Sequence, residues 1–350
     1  MGIAFKELIV GKEIEIVDLK GKILAVDTSN ILYQFLASIR ARDGSLLQDS
    51  HGNVTSHLQG LLLRVTNLLS QGVKLCFVLD GRPPDLKREE RERRREIKKE
   101  AEKKYKIAEK RRDLEGMRKY AARTITLTSE LVEESVKLLN ALGLPVIQSP
   151  SEAEAQAAFL VKNKDAYATA SQDYDSLMHG TLKLVRNLSI AGRRKKAGTL
   201  GHSTVKPELV SLSETLNRMG VDQNQLIAVA MLIGTDYNVG GVKGIGPVNA
   251  IKLVKQHGSD FDGLFNEVRW NNFFDVEWTE VYHLIKKMPV KKDYEIKWGS
   301  VDKETVIRLL CDKHDFSEER VSKAISKLIK GKEDQRQMGL DRFIQPTPQK

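Results

Sequence analysis

The 350-residue chain carries only two cysteines, Cys76 and Cys311. Both sit in apolar stretches without metal-ligand spacing. They read as buried free thiols in a reducing compartment, which excludes a disulfide framework and a thiolate metal centre. The Asn53 and Asn187 sequons therefore carry little weight. Long apolar runs are also missing; the longest are of strand length, so no transmembrane helix is expected. The opening MGIAFKELIVGKEIEI lacks the apolar core and cleavage site of a secretory leader. Lys6 stands where a myristoylation signal places Ser or Thr. There is no GxxxxGK[ST], which argues against nucleotide hydrolysis through a phosphate loop.

Positive charge, by contrast, is in excess. Lys and Arg number 57 against 47 Asp and Glu, a formal net charge of +10. With 41% hydrophobic and 30% charged residues the chain should fold as a globular protein. A basic surface favours a polyanionic partner, because cations that neutralise phosphates release counterions.

Apolar strand-like segments alternate with helical ones. LAVD leads into SNILYQFLASI, SHLQGLLLRVTNLLSQG into KLCFVLDG, LVEESVKLLNALG into LPVIQ, and EAEAQAAFLVKN into AYATA. This alternation predicts an α/β fold with a mainly parallel central sheet. Ligands of such sheets gather at the carboxyl ends of strands. Seven acids fall at the ends of apolar segments: Asp27, Asp80, Glu152, Glu154, Asp173, Asp175 and Asp236. One Asp there would be an ordinary turn residue, and Ser151-Glu152-Ala153-Glu154 also reads as a capping box. Seven together predict a divalent-metal site. Carboxylates without nearby His or Cys favour Mg²⁺ or Mn²⁺ over Zn²⁺. Their number exceeds what one Mg²⁺ takes, and two ions about 4 Å apart account for it. In a basic protein this points to phosphodiester hydrolysis. A phosphotransferase of the Asp-x-Asp type is disfavoured, since Asp27-Thr28-Ser29 lacks the second Asp.

Lys87–Arg112 breaks the alternation with fourteen basic and seven acidic residues. Its composition favours a helix supported by Glu–Lys and Glu–Arg spacings. Having no apolar stripe, it should project into solvent; a disordered charged linker is the other reading. Lys87 and Arg94 are two helical turns apart and share a face on which a scissile phosphate could rest. In 240–257, Gly241, Gly244 and Gly246 precede Pro247 and a basic amphipathic helix. That pattern suits a hairpin between helices whose amides grip a phosphate backbone. From Gly331 onward the chain reads as a flexible tail. There Gln337, Leu340, Phe343 and Ile344 fall at helical spacing, as in a segment that docks into a groove.

The motifs MGI, VDTSNILYQFL, FVLDGRPP, PSEAEAQAA, ATASQDYDSL, LIGTDYN and GIGP stand in the order of the flap endonucleases, and the chain resembles that family along nearly its whole length. The resemblance implies a PIN-like nuclease core with a helical arch at 82–125, a helix-two-turn-helix element at 232–258, and a helical part at 259–330. Together these form one nuclease domain over 1–330, followed by a tail at 331–350. It implies two Mg²⁺ ions, with Mn²⁺ able to substitute, held by the seven acids, and Lys87 and Arg94 contacting the scissile phosphate beside Asp175. Tyr33 resembles the aromatic that stacks on the terminal base pair. Arg40, Thr55 and Arg64 lie where the family binds the upstream duplex and its short 3′ flap. Gly2 lies near the active site, and Glu152, Gly234, Asp236, Gly244 and Gly246 near bound DNA. The tail is similar to the family's sliding-clamp binding box, with Ile344 departing from its usual aromatic. The implied substrates are 5′-flap, nicked and gapped DNA in replication and repair, with 5′-3′ exonuclease activity as well. The protein is expected to be a cytoplasmic or nucleoid-associated monomer of archaeal type.

Two rival readings are a related nuclease cutting other branched DNA and a DNA-binding clamp adaptor without nuclease activity. Seven intact acids argue against the adaptor, because like charges beside phosphate need cations to be tolerated.

Overall fold

The computed structural model describes residues 8–344 apart from 42, 122, 191 and 196–201, with side chains undescribed at 114, 118, 190, 192–195, 202–204 and 332–344. Seven strands make one sheet: β1 (Gly11–Glu13), β2 (Ile23–Asp27), β3 (Lys74–Leu79), β4 (Val146–Gln148), β5 (Ala168–Ala170), β6 (Lys183–Arg186) and β9 (Glu208–Ser211). A separate hairpin pairs β7 (Gly192–Lys195) with β8 (His202–Val205). The sheet runs in the order β1-β9-β6-β5-β2-β3-β4. Its middle pairs β6-β5, β5-β2, β2-β3 and β3-β4 are parallel, and only the β9 pairings are antiparallel. The sequence predicts this mainly parallel core.

The central strands are apolar on both faces because helices cover both sides. Leu24, Val26, Leu75 and Phe77 pack with Leu32, Phe35, Leu61 and Leu138 on one face. Ala25, Cys76, Val78 and Ile147 alternate with them and pack on Ala153, Ala157 and Leu160 of the helix Ala153–Lys162. Cys76 is fully buried, and desolvation pushes its thiol up to about 12, so it is an inert packing residue. A further core joins the helices Gln223–Ile233, Pro247–His257, Phe261–Glu267 and Trp278–Lys286. In it Phe265 stacks on Trp278 at 4.7 Å between ring centroids.

The charged segment forms the helix Arg88–Lys110, which packs against the next helix, Leu114–Ala121. The expectation of a helix without any packing stripe needs correction. Ala101 and Ala108, two turns apart, are buried, and such small residues let a highly charged helix close against a neighbour.

The last helix runs Glu318–Ile344 and carries the backbone through a segment expected to be flexible. Helix-favouring Lys, Glu, Gln, Arg, Met and Leu dominate it. The side chains of Gln337, Leu340, Phe343 and Ile344, and all of Gly2, lie outside the described residues.

Candidate active site

The sheet reverses its winding between β2 and β5: the chain steps from β2 outward to β3 and β4, then returns to lay β5 and β6 on the other side. Crevices at the carboxyl ends of strands about such a switch point are where α/β folds bind ligands. Asp27 is the last residue of β2, Asp80 follows β3, and Asp173 and Asp175 follow β5. Local hydrogen bonds hold Asp27 and Asp173 in place. The Asp27 carboxylate caps the helix Thr28–Ser38 by accepting from the Asn30 amide at 3.0 Å. The Asn30 side chain donates to Asp173 at 3.0 Å and accepts from the Gln172 amide at 3.0 Å, tying the β2 and β5 ends together. Behind the second pair, Arg186 donates to the Gln172 carbonyl at 3.0 Å, to the Tyr174 hydroxyl, and to Glu208 at 2.9 Å.

Glu152 is the N-cap of the helix Ala153–Lys162, with Glu154 in its first turn. The capping box suggested by Ser151 and Glu154 is not formed. The Ser151 hydroxyl donates instead to the Arg82 carbonyl at 3.2 Å. The helix is capped across the sheet by Asp80, which accepts from the Ala153 amide at 2.8 Å. That bond brings Asp80 to the start of the helix bearing both glutamates, where the helix dipole favours negative charge.

Lys87 lies in a short 3₁₀ turn just before the arch helix, Arg94 in its second turn. Both reach the acids. Lys87 Nζ is 2.6 Å from Glu152 and 3.3 Å from Asp236. Arg94 Nη2 donates to both oxygens of Asp236 at 2.9 Å. Thus Asp236, at the far end of the helix Gln223–Ile233, joins the strand-end acids through the arch cations.

The electrostatics are those of crowded negative charge. Burial first, then Asp80 and Asp173, raise the Asp27 carboxyl well above its ordinary range. Burial, then Asp175, Asp27 and Asp173, do the same to Glu154. Burial also raises Glu152, with Lys87 opposing it. Desolvation alone would lower Lys87, but Glu152 and Asp236 outweigh it and hold the ammonium above its usual range. Among the described residues, no three His, Cys, Asp or Glu side chains are arranged so that they could hold a metal ion as they stand. The acids nevertheless fit hard divalent cations: every donor is a carboxylate oxygen, and the raised Asp27 and Glu154 are repelled by neighbours that a cation would compensate.

Tyr33 sits on the helix Thr28–Ser38 with 40% of its surface exposed and Lys98 Nζ 5.8 Å from its ring centre. Thr55 and Arg64 line a separate groove of about 1320 Å³. Arg64 is braced there by the Ser189 carbonyl at 3.0 Å. Arg40 is not among the groove's lining residues; it donates to the Gly44 and Ala121 carbonyls. The same groove is lined by Arg320, Lys323 and Lys327 from the last helix. Sequence reasoning missed these three, although their spacing marks one helical face. Asn30, inside the VDTSN motif, was missed as well.

Between the helices Gln223–Ile233 and Pro247–His257 the chain makes three tight turns, at 236–237, 239–240 and 243–244. Gly234 (φ +115°) and Gly241 (φ +65°) meet there: a Cβ on Gly234 would lie 2.7 Å from the Gly241 amide. Gly244 and Gly246 differ, since a Cβ on either would meet open space. Gly246 caps the basic helix, with Pro247 at its first position.

Residues 2–101 match the XPG N-terminal domain and residues 143–236 the XPG I-region. Flap endonuclease 1 of Thermococcus onnurineus is 46% identical over 344 residues, which is 98% of this chain and 99% of that protein. The structure of flap endonuclease-1 from Methanococcus jannaschii superposes with a TM-score of 0.74 at 39% identity, over 95% of this chain and all of the other. The catalytic core of Rad2 in complex with DNA substrate shares the fold, with a TM-score of 0.67 at 24% identity over 94% of this chain and all of that one. These matches do not favour the adaptor reading. With its α/β core, its acids at the strand ends and its arch, this chain belongs to the flap endonuclease family.

Proposed function

We propose that this flap endonuclease hydrolyses a DNA phosphodiester at the carboxyl edge of the β5-β2-β3 strands, near the junction of a 5′ flap with duplex. The observation that carries the proposal is the closure of the arch cations on the acids. Lys87 and Arg94 contact Glu152 and Asp236 at the mouth of the crevice. Cations so placed can trade carboxylate for phosphate oxygens, which makes them electrostatic stabilisers of a phosphoryl centre gaining charge.

The seven acids Asp27, Asp80, Glu152, Glu154, Asp173, Asp175 and Asp236 are the residues that would hold divalent metal. Mg²⁺, two ions per chain with Mn²⁺ as a substitute, is the cofactor their all-oxygen chemistry favours. Held there, divalent cations would supply Lewis acidity and activation of water for phosphodiester hydrolysis. The chain's own residues orient the substrate. Tyr33 offers an exposed ring on which the terminal base pair can stack. The turn at Gly244 and Gly246 leaves space for a duplex backbone at the start of a basic helix. The groove holding Thr55 and Arg64, walled by Arg320, Lys323 and Lys327, has the charge for the upstream duplex end and its 3′ flap. Gapped and nicked DNA fit the same surfaces. A sliding clamp would meet the tail through Gln337, Leu340, Phe343 and Ile344, and the enzyme would act as a monomer. No helix among the described residues is long and apolar enough to cross a membrane.

Single-turnover cleavage and equilibrium binding of a 5′-flap duplex by Lys87→Ala test the proposal. A cleavage loss of about 100-fold, with the dissociation constant changed by no more than about threefold, is expected. Equal losses in both would make Lys87 a simple electrostatic contact.

A further inference from the structure

Glu90 lies in the first turn of the arch helix Arg88–Lys110, yet only 3% of its surface is exposed. Carboxylates on charged helices ordinarily face water, and those that are buried are paired. Its partners are two arginines of its own helix. Arg93 donates through Nε at 2.6 Å and Nη2 at 2.8 Å, and Arg94 through Nε at 2.5 Å. The same Arg94 guanidinium places Nη2 on both oxygens of Asp236 at 2.9 Å. One edge of the planar fork is therefore fixed within the arch, while another crosses to the active-site acids. Glu90 is held below the ordinary carboxylate range by the arginines, against the cost of its burial.

We propose that Glu90 is a positioning residue for catalysis. It clamps the Nε edge of Arg94 so that the Nη2 edge is presented to the scissile phosphate. The two carboxylates on Arg94 then have different fates. Asp236 belongs to the acid cluster, and its place on Nη2 is the one a phosphate oxygen can take. Glu90 lies on the same helix as Arg94 and can keep Nε when Asp236 is displaced from Nη2. A guanidinium suits this division because its donors lie in one rigid plane: fixing one edge aims the others. A lysine at 94 could not be aimed in this way. The proposal rests on the reading that Arg94 contacts the scissile phosphate.

A merely structural role is the competing account, since an acid in the first turn also favours the helix dipole and forms spacing-three and spacing-four pairs. The two accounts differ in what depends on Arg94. The experiment is a double-mutant cycle on Glu90→Gln, Arg94→Ala and the double variant. Single-turnover cleavage of a 5′-flap duplex, flap-duplex affinity and melting temperature are measured for each with the full-length enzyme. Glu90→Gln keeps the side chain's shape and removes its charge, and Glu90→Ala removes the contact. The expected result is a loss in cleavage rate of about fivefold for Glu90→Gln and about 20-fold for Glu90→Ala, with affinity within about twofold of wild type. In the Arg94→Ala background either change should cost less than about twofold more. Losses that multiply in the double variant, or a normal rate in Glu90→Ala beside a slow Arg94→Ala, overturn the proposal alone. A wild-type rate in Arg94→Ala overturns the reading of Arg94, and this proposal with it.

Discussion

Residue chemistry in this molecule is dominated by what is done with buried charge. At the strand ends, Lys87 and Arg94 neutralise part of the acid cluster, and Asp27 and Asp80 also cap helices. Away from that site, His57 is buried with neither ring nitrogen hydrogen-bonded, the Glu134 carboxylate being 3.6 Å distant. Desolvation, the largest influence, lowers it to about 4, although Glu134 opposes the shift. Because the folded value lies below the ordinary 6.5, His57 favours the native state above pH 6.5. That contribution is lost as the pH falls from 6.5 toward 4, since the unfolded chain takes up the proton first. The expected loss is roughly 3 kcal/mol. Denaturant melts of wild type and His57→Leu across this range should show a steeper decline for wild type; parallel curves would contradict the assignment.

At the scale of elements, what the sequence made legible depended on local pattern. Apolar runs ending in Asp marked β2 and β3 and the acids at their ends, because strand, burial and acid are contiguous in the chain. The cross-sheet cap from Asp80 to Ala153 was not legible, and neither was the burial of Glu90, since both arise from contacts between distant segments or from packing of the arch. The groove behind Thr55 and Arg64 is assembled from segments more than 250 residues apart, which no local pattern displays. The turn between Gly234 and Gly246 separates two kinds of glycine. In Gly241→Ala the new Cβ would lie 2.3 Å from the Ile233 carbonyl carbon at a positive φ, so a destabilisation of about 2 kcal/mol is expected in thermal unfolding. In Gly246→Ala the backbone is extended and the space is open, so stability should hold while affinity for duplex DNA falls several-fold. A folded Gly246→Ala with full affinity would show that the turn does not use that space for DNA.

Over the whole molecule, a net charge of +10 coexists with an acidic crevice. On the proposed function, the basic arch, the helix Pro247–His257 and the groove wall would supply long-range attraction, and the strand-end acids the local chemistry. Affinity and catalysis should therefore respond differently to salt. Between about 50 and 200 mM monovalent salt, flap-duplex affinity is expected to fall by two or more orders of magnitude, in proportion to the phosphates neutralised. The cleavage rate at saturating enzyme should change far less, and a rate that fell in step with affinity would mean that the same charges govern both. We propose that the acids at the ends of β2, β3 and β5, at the start of the helix Ala153–Lys162 and beyond the helix Gln223–Ile233 form one metal-dependent hydrolytic site. The measurement that addresses it most directly is single-turnover cleavage of a labelled 5′-flap duplex by wild type and Asp175→Ala, in Mg²⁺ and in EDTA. The account predicts incision near the junction only for wild type in Mg²⁺, with Asp175→Ala still folded and binding DNA. Incision that survives EDTA, or an Asp175→Ala enzyme as fast as wild type, would contradict it.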